Sequence, residues 1–156
     1  MPTVSTIILD AMNALQTLNR TLCTAPQVSE YPTAIDTGSG PIAITWPADG
    51  EAWQKGNGYD QAVLSMRVIV FVDPVAQNDI PSHAADGAVL LQQFINLYVK
   101  AANTPQANPP PYQLTIQSGA SAAHITHGGL VPTLSFGGRA FVGFELTVPV
   151  RMEWIQ

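Results

Sequence analysis

Charge is what this sequence has least of. Six basic and eleven acidic residues make up 11% of 156 positions, less than half the usual share of about 25%. A formal net charge of -5 excludes the basic stripe by which proteins grip nucleic acid through phosphate neutralisation. It leaves open a surface past which DNA slides. Cysteine is nearly absent as well. Cys23 alone makes neither an internal disulfide nor a cysteine-based zinc site. It ends an apolar helical pattern, which predicts a buried, inert thiol. Long hydrophobic runs are missing, so no helical membrane span is expected. The first residues, Met1-Pro2-Thr3-Val4-Ser5, lack a basic stretch and an apolar signal core, and the chain is expected to be made and to stay in solution in a cytoplasm. No internal repeat stands out.

What is present is polar without charge. Ser, Thr, Asn and Gln supply 39 residues, and 46% of the chain is hydrophobic, enough to build a core and to argue against intrinsic disorder. A small chain with so few charges reads as one that hides surface in permanent contacts, because interface cores are depleted of charge. The length fits a single domain, 1–156.

Periodicity gives the elements. Val4, Ile7, Ile8, Ala11, Leu15, Leu18 and Leu22 recur at three- and four-residue steps, predicting a helix over 4–23. Pro26, Pro32, Gly38 and Gly40 mark 24–40 as a loop, and 41–46 reads as a short strand ended by Pro47. Gly50, Gly56 and Gly58 make 48–59 a second loop. Residues 60–72 predict a long strand, with Leu64, Met66, Val68, Val70 and Val72 on one face. The other face turns apolar beyond Arg67, which predicts cover on both sides there. Spacing through Ala84, Ala88, Leu91, Ile95, Tyr98 and Ala102 predicts a helix over 82–102, about 30 Å long. Prolines make 103–111 a stiff spacer. Residues 112–118 alternate as a strand with Leu114 and Ile116 inward. The stretch 119–138 has five glycines and no clear period, with a short strand within 130–136. From Val142 to Trp154 every even residue is apolar, an amphipathic strand with one wet face. Pro149 within it cannot donate to a ladder, so one edge there is expected to be unpaired or bulged. The order helix, strand, strand, helix, strand, strand predicts an α+β fold: a mostly antiparallel sheet, two long helices on one face, and long partner-binding loops.

Chemistry-bearing patterns are weak. His124 and His127 are three apart in a Gly/Ala-rich stretch, but zinc needs three or four ligands, and only the distant His83 remains. No metal or cofactor is expected. Gly128-Gly129 and Gly137-Gly138 precede no helix carrying Lys-Ser/Thr, so they suit turns with positive φ better than phosphate cradling. Ser118, Ser121 and Ser135 lack a nucleophile elbow. Asp49 and Glu51 flank Gly50 in a loop, and Asp79 and Asp86 suit the start of the second helix. Trp53, Tyr59 and Phe136 sit in or beside loops, where aromatic residues anchor interfaces or pack on their own domain. With Arg139 they are the interface candidates.

Element order and strand texture then carry a resemblance. An N-terminal helix is followed by strands ending in Tyr59-Asp-Gln-Ala-Val-Leu-Ser-Met-Arg-Val-Ile-Val-Phe-Val-Asp73. A long helix comes next, and then Gly138-Arg-Ala-Phe-Val-Gly-Phe-Glu-Leu-Thr-Val-Pro-Val150. This resembles the tail terminator and tail-completion (head–tail joining) proteins of long-tailed bacteriophages. The resemblance implies a non-enzymatic virion protein made in the host cytoplasm. Its copies would form a hexameric ring that caps the tail tube and meets the head–tail connector or neck proteins. DNA would pass through the channel without specific binding, and Asp49, Glu51 and Asp79 are the candidates to line it. The alternatives are another neck or tail-tube subunit, or a small binding module or hydrolase-like enzyme using the His124/His127 loop.

Overall fold

A computed structural model describes residues 4–38, 40–48, 52–55, 59–74, 80–102, 105–106, 112–116 and 126–155. Among these residues two α-helices, α1 (Val4–Asn19) and α2 (Ile80–Ala101), and a 3-10 turn at Val28–Glu30 accompany seven strands. These are β1 (Ile42–Pro47), β2 (Ala52–Lys55), β3 (Tyr59–Pro74), β4 (Pro105–Gln106), β5 (Tyr112–Ile116), β6 (Thr126–Phe136) and β7 (Arg139–Ile155). All the strand pairings are antiparallel, and the fold is α+β as expected.

The sheet is organised around one long ribbon, β3 against β7, paired from Tyr59↔Ile155 to Pro74↔Phe141. Since β7 takes one edge of β3 throughout, β1 and β2 share the other edge in succession. By the same logic β5 and β6 follow one another along the outer edge of β7, and β4 pairs with β5. β7 therefore lies between β3 and β5, strands that α2 and β4 separate in sequence.

Strand alternation selects the core. Ala62, Leu64, Met66, Val68, Val70 and Val72 of β3 and Phe144, Leu146, Val148, Val150 and Met152 of β7 are all buried. They form one cluster with Ile7, Ala11 and Leu15 of α1 and Leu90, Phe94 and Tyr98 of α2. Both helices thus cover the same sheet face. Phe94 meets Phe144 edge-on at 5.7 Å between ring centroids. The opposite face is wet around Arg67 and closes toward the Pro74 end. There Phe71 contacts Phe136 and Phe141 edge-on at 5.5 and 5.4 Å, under Ile35, Ile42 and Ile44. The sheet is covered on both sides beyond Arg67, as the pattern implied.

Several expectations need correction. α1 stops at Asn19 rather than 23, because the Asn19 carbonyl accepts from the amides of both Leu22 and Cys23 and the chain turns. The expected loop 48–59 contains β2, which pairs with the start of β3. The expected short strand at 130–136 begins at Thr126, and register shifts at His127/Leu130 and Val131/Leu134 interrupt its pairing with β7. Gly128-Gly129 falls within the first of those irregularities rather than in a turn. Gly137 and Gly138 do turn the chain, with φ of 59° and 78°. Positive φ at both positions is the type I′ geometry that matches strand twist in a two-residue hairpin.

Pro149 sits where a proline is harmless. The Ala48 amide donates to Ser65 O at 2.7 Å, so Ser65 turns its peptide groups toward β1. Across the ribbon Pro149, opposite Ser65, therefore aims its nitrogen at the outer edge. Along that edge β5 ends opposite Val150 and β6 begins opposite Thr147. Pro149 occupies the gap between them.

Candidate functional site

The densest polar chemistry among the described residues lies under α1. Gln16, Asn19 and Thr45 are fully buried, as is Tyr98. Gln16 Nε2 donates to Pro26 O at 2.7 Å and to Ala43 O at 3.1 Å. Its Oε1 accepts from Asn19 Nδ2 and from Thr45 Oγ1, both at 2.9 Å. Asn19 Nδ2 also reaches Thr45 Oγ1 at 3.3 Å, and Asn19 Oδ1 accepts from the Tyr98 hydroxyl. Burial pushes the Tyr98 hydroxyl well above the usual phenol range, with the nearby Cys23 adding to the rise and the Asn19 bond opposing it. Burial likewise raises the Cys23 thiol to about 12, against a weaker opposing hydrogen bond from the Ala43 backbone. A thiol so protonated is a poor nucleophile, though Cys23 is half-buried rather than buried as expected. The arrangement ties α1, β1 and α2 together; each of these polar side chains is committed to protein partners.

A cleft of about 350 Å³ lies where the end of β3 meets α2, lined by Pro41, Val72, Asp73, Asp86, Val89, Leu90 and Gln93. Its lining holds two carboxylates, Asp73 and Asp86, and neither histidine nor cysteine. Among the described residues no group of three or more His, Cys, Asp or Glu is placed to hold a metal. No helix there is long and apolar enough to cross a membrane.

The interface candidates separate into two pairs. Phe136 and Arg139 close the β6–β7 hairpin as a cross-strand pair. Phe136 is partly buried against Phe71, so its ring packs on its own domain. Arg139 is exposed, with its guanidinium 5.6 Å from the Phe141 ring centroid, within cation–π range. Trp53 and Tyr59 belong to the β2–β3 hairpin, opposite Ala62 and Ile155 respectively. The Tyr59 and Pro74 ends of the ribbon are roughly 50 Å apart at strand rise. Asp49, Glu51, Asp79 and His124 lie outside the described residues, as do Ser118 and Ser121. His127 stands in β6 opposite Leu146, and His83 falls in the first turn of α2.

Sequence reasoning missed two features. The network residues Gln16 and Asn19 continue the buried stripe of α1 one turn beyond Met12 and Leu15, a signal that was available. The other feature is the outward face of α2. Val89 and Val99 are 61% and 57% exposed. They share that face with exposed Ala85, Ala88, Gln92, Gln93 and Asn96, and from 84 to 102 only Asp86 and Lys100 are charged.

No protein-family model matches the chain, and no curated protein matches its sequence.

Proposed function

We propose that the chain is a structural subunit of a long-tailed bacteriophage virion: a tail terminator whose copies close into a hexameric ring. The ring caps the tail tube and joins it to the head connector. The observation that carries this reading is the exposed, almost uncharged face of α2, on which Val89 and Val99 stand open. A surface of that composition favours lasting protein contact over free solvation. The separation of the two hairpins supports it, since a subunit between head and tail must meet neighbours at two ends. A closed ring uses different patches of each subunit against one another, and α2 and the hairpins supply distinct patches.

Termination is steric in this reading. The ring covers the surface on which the next tube subunit would add, and the sequence's net charge of -5 suits a channel that DNA passes without adhering.

The test is twofold. Negative-stain images of the purified protein should show closed rings. A phage lacking the protein should make tails that run overlong or fail to join heads. A monomer at all accessible concentrations, together with normal tails joined to full heads, overturns the reading.

A further inference from the structure

A strand at the edge of a sheet offers unpaired peptide groups to any extended chain. β1 is such a strand, and its outward groups can be followed one by one. Trp46, Ile44 and Ile42 face Arg67, Ile69 and Phe71 of β3. By the parity that Ser65 sets, they turn their peptide groups inward, which leaves Ala43, Thr45 and Pro47 facing out. The Ala43 amide donates to Thr24 O at 2.9 Å, and Ala43 O accepts from Gln16 Nε2 at 3.1 Å. The Thr45 amide donates to the Tyr31 hydroxyl at 2.9 Å, and the same hydroxyl donates to Thr45 O at 2.8 Å. Pro47 has no amide to offer. Every outward N–H of this edge is therefore taken or missing, and the takers come chiefly from the segment between α1 and β1.

Tyr31 is the half-buried end of that closure. Its one hydroxyl fills both the donor and the acceptor role of a partner strand at Thr45. Its ring meets Trp46 edge-on at 5.8 Å and packs against both hydrophobic clusters, which fixes the hydroxyl over the edge. Thr24 and Gln16 hold Ala43 from the other end, and Gln16 also holds Pro26 of the segment.

We propose that residues 24–38 form an edge guard with Tyr31 as its latch: a contact that keeps β1 closed to strand addition. With the latch released, Thr45 offers its N–H and C=O outward, and a second copy, which carries the same edge and can meet it about a two-fold axis, is the strand that takes them. The inference does not rest on the ring proposed above, since it follows from the hydrogen bonds of β1 within one chain.

Tyr31→Phe keeps the ring and removes only the hydroxyl. Val28→Ala, in the same segment and half-buried against the core, is the control that loosens the guard without touching the Thr45 bonds. Hydrogen exchange at the Thr45 amide should quicken about ten-fold in Tyr31→Phe and stay near the wild-type rate in Val28→Ala. Light scattering after size exclusion should show Tyr31→Phe alone adding mass to the wild-type species as concentration rises. An unchanged Thr45 exchange rate, or a size distribution identical to that of Val28→Ala, overturns the proposal. Should Tyr31→Phe fail to fold, exchange on the wild-type protein decides. The Thr45 amide must open more readily than the Val68 and Leu146 amides of the central ribbon, and exchange only through global unfolding overturns the guard.

Discussion

Tyr98 in α2 donates its hydroxyl hydrogen to the side-chain carbonyl of Asn19 at the end of α1, and both residues are fully buried. The two helices lie side by side over one sheet face, and this bond joins them across 79 positions of sequence. Tyr98→Phe keeps the ring in the core and strands Asn19 Oδ1 without its donor. An unsatisfied buried acceptor costs about 1–3 kcal/mol. Urea denaturation should show that loss, and a variant as stable as the wild type would mean that Asn19 finds another donor.

The same neighbourhood sets the alkaline limit of stability. Cys23 is raised from 9.0 to about 12 in the folded chain, and Tyr98 is raised above its ordinary 10.0. Both groups are neutral when protonated, so the folded state holds their protons more tightly than the unfolded state does. Their contribution is complete below pH 9 and is lost as the pH rises from about 9 toward 12. Melting temperatures should fall across that window. Cys23→Ala should flatten the early part, between the Cys23 and Tyr98 reference values of 9.0 and 10.0.

The ribbon allows a direct comparison of its two faces. Phe144→Ala or Leu146→Ala removes a fully buried side chain and should cost roughly 2–5 kcal/mol. Glu145 pairs with Arg67 at 2.8 Å on the wet face, both partly exposed. Glu145→Ala should cost less than about 1 kcal/mol, and Thr147→Ala similarly little. Equal losses on both faces would place a neighbouring subunit over the wet face.

At Gly143 the two long strands leave no room for a side chain. The glycine pairs with Phe71 beside the register shift at Phe71/Asp73, and a Cβ added there would fall on the carbonyl oxygen of Val70. Backbone cannot rotate aside as a side chain does. Gly143→Ala should therefore destabilise by at least the roughly 1–3 kcal/mol of ordinary overpacking. A thermal melt within a degree of wild type would show that the strands part without cost.

These sites also show what the sequence could disclose. β7 was legible because its apolar residues keep period two from Val142 to Met152, even though Gly143 and Pro149 on the other face are buried. β6 was largely hidden, since Gly128, Gly129 and Pro132 carry little strand signal and each register shift resets the alternation. β2 is four residues long, too short for any period. α1 read too long because apolar spacing continues to Leu22, whereas its end is set by the amides gathered on Asn19 O. The buried network was legible only in part: the stripe of α1 placed Gln16 and Asn19 on the buried face, but their partners Thr45 and Tyr98 are distant in sequence. Of the interface candidates, Phe136 could not be assigned to its own core without knowing that Phe71 lies beneath it.

Phe136 and Arg139 separate stability from assembly. They face each other across the Gly137-Gly138 turn, yet one packs inward and the other is exposed. Phe136→Ala removes an edge-on contact with Phe71 and should lower stability, by about 0.5–1.5 kcal/mol for the aromatic pair beyond the loss of buried area. Arg139→Glu leaves that packing intact and gives up only an exposed cation–π contact, so the melting temperature should hardly move. If the hairpin tip meets a neighbour in the proposed ring, Arg139→Glu should nevertheless shift the light-scattering mass toward the monomer. The conservative Arg139→Lys should retain most of the assembly. Intact rings of unchanged mass in Arg139→Glu would remove this hairpin tip from the subunit contacts.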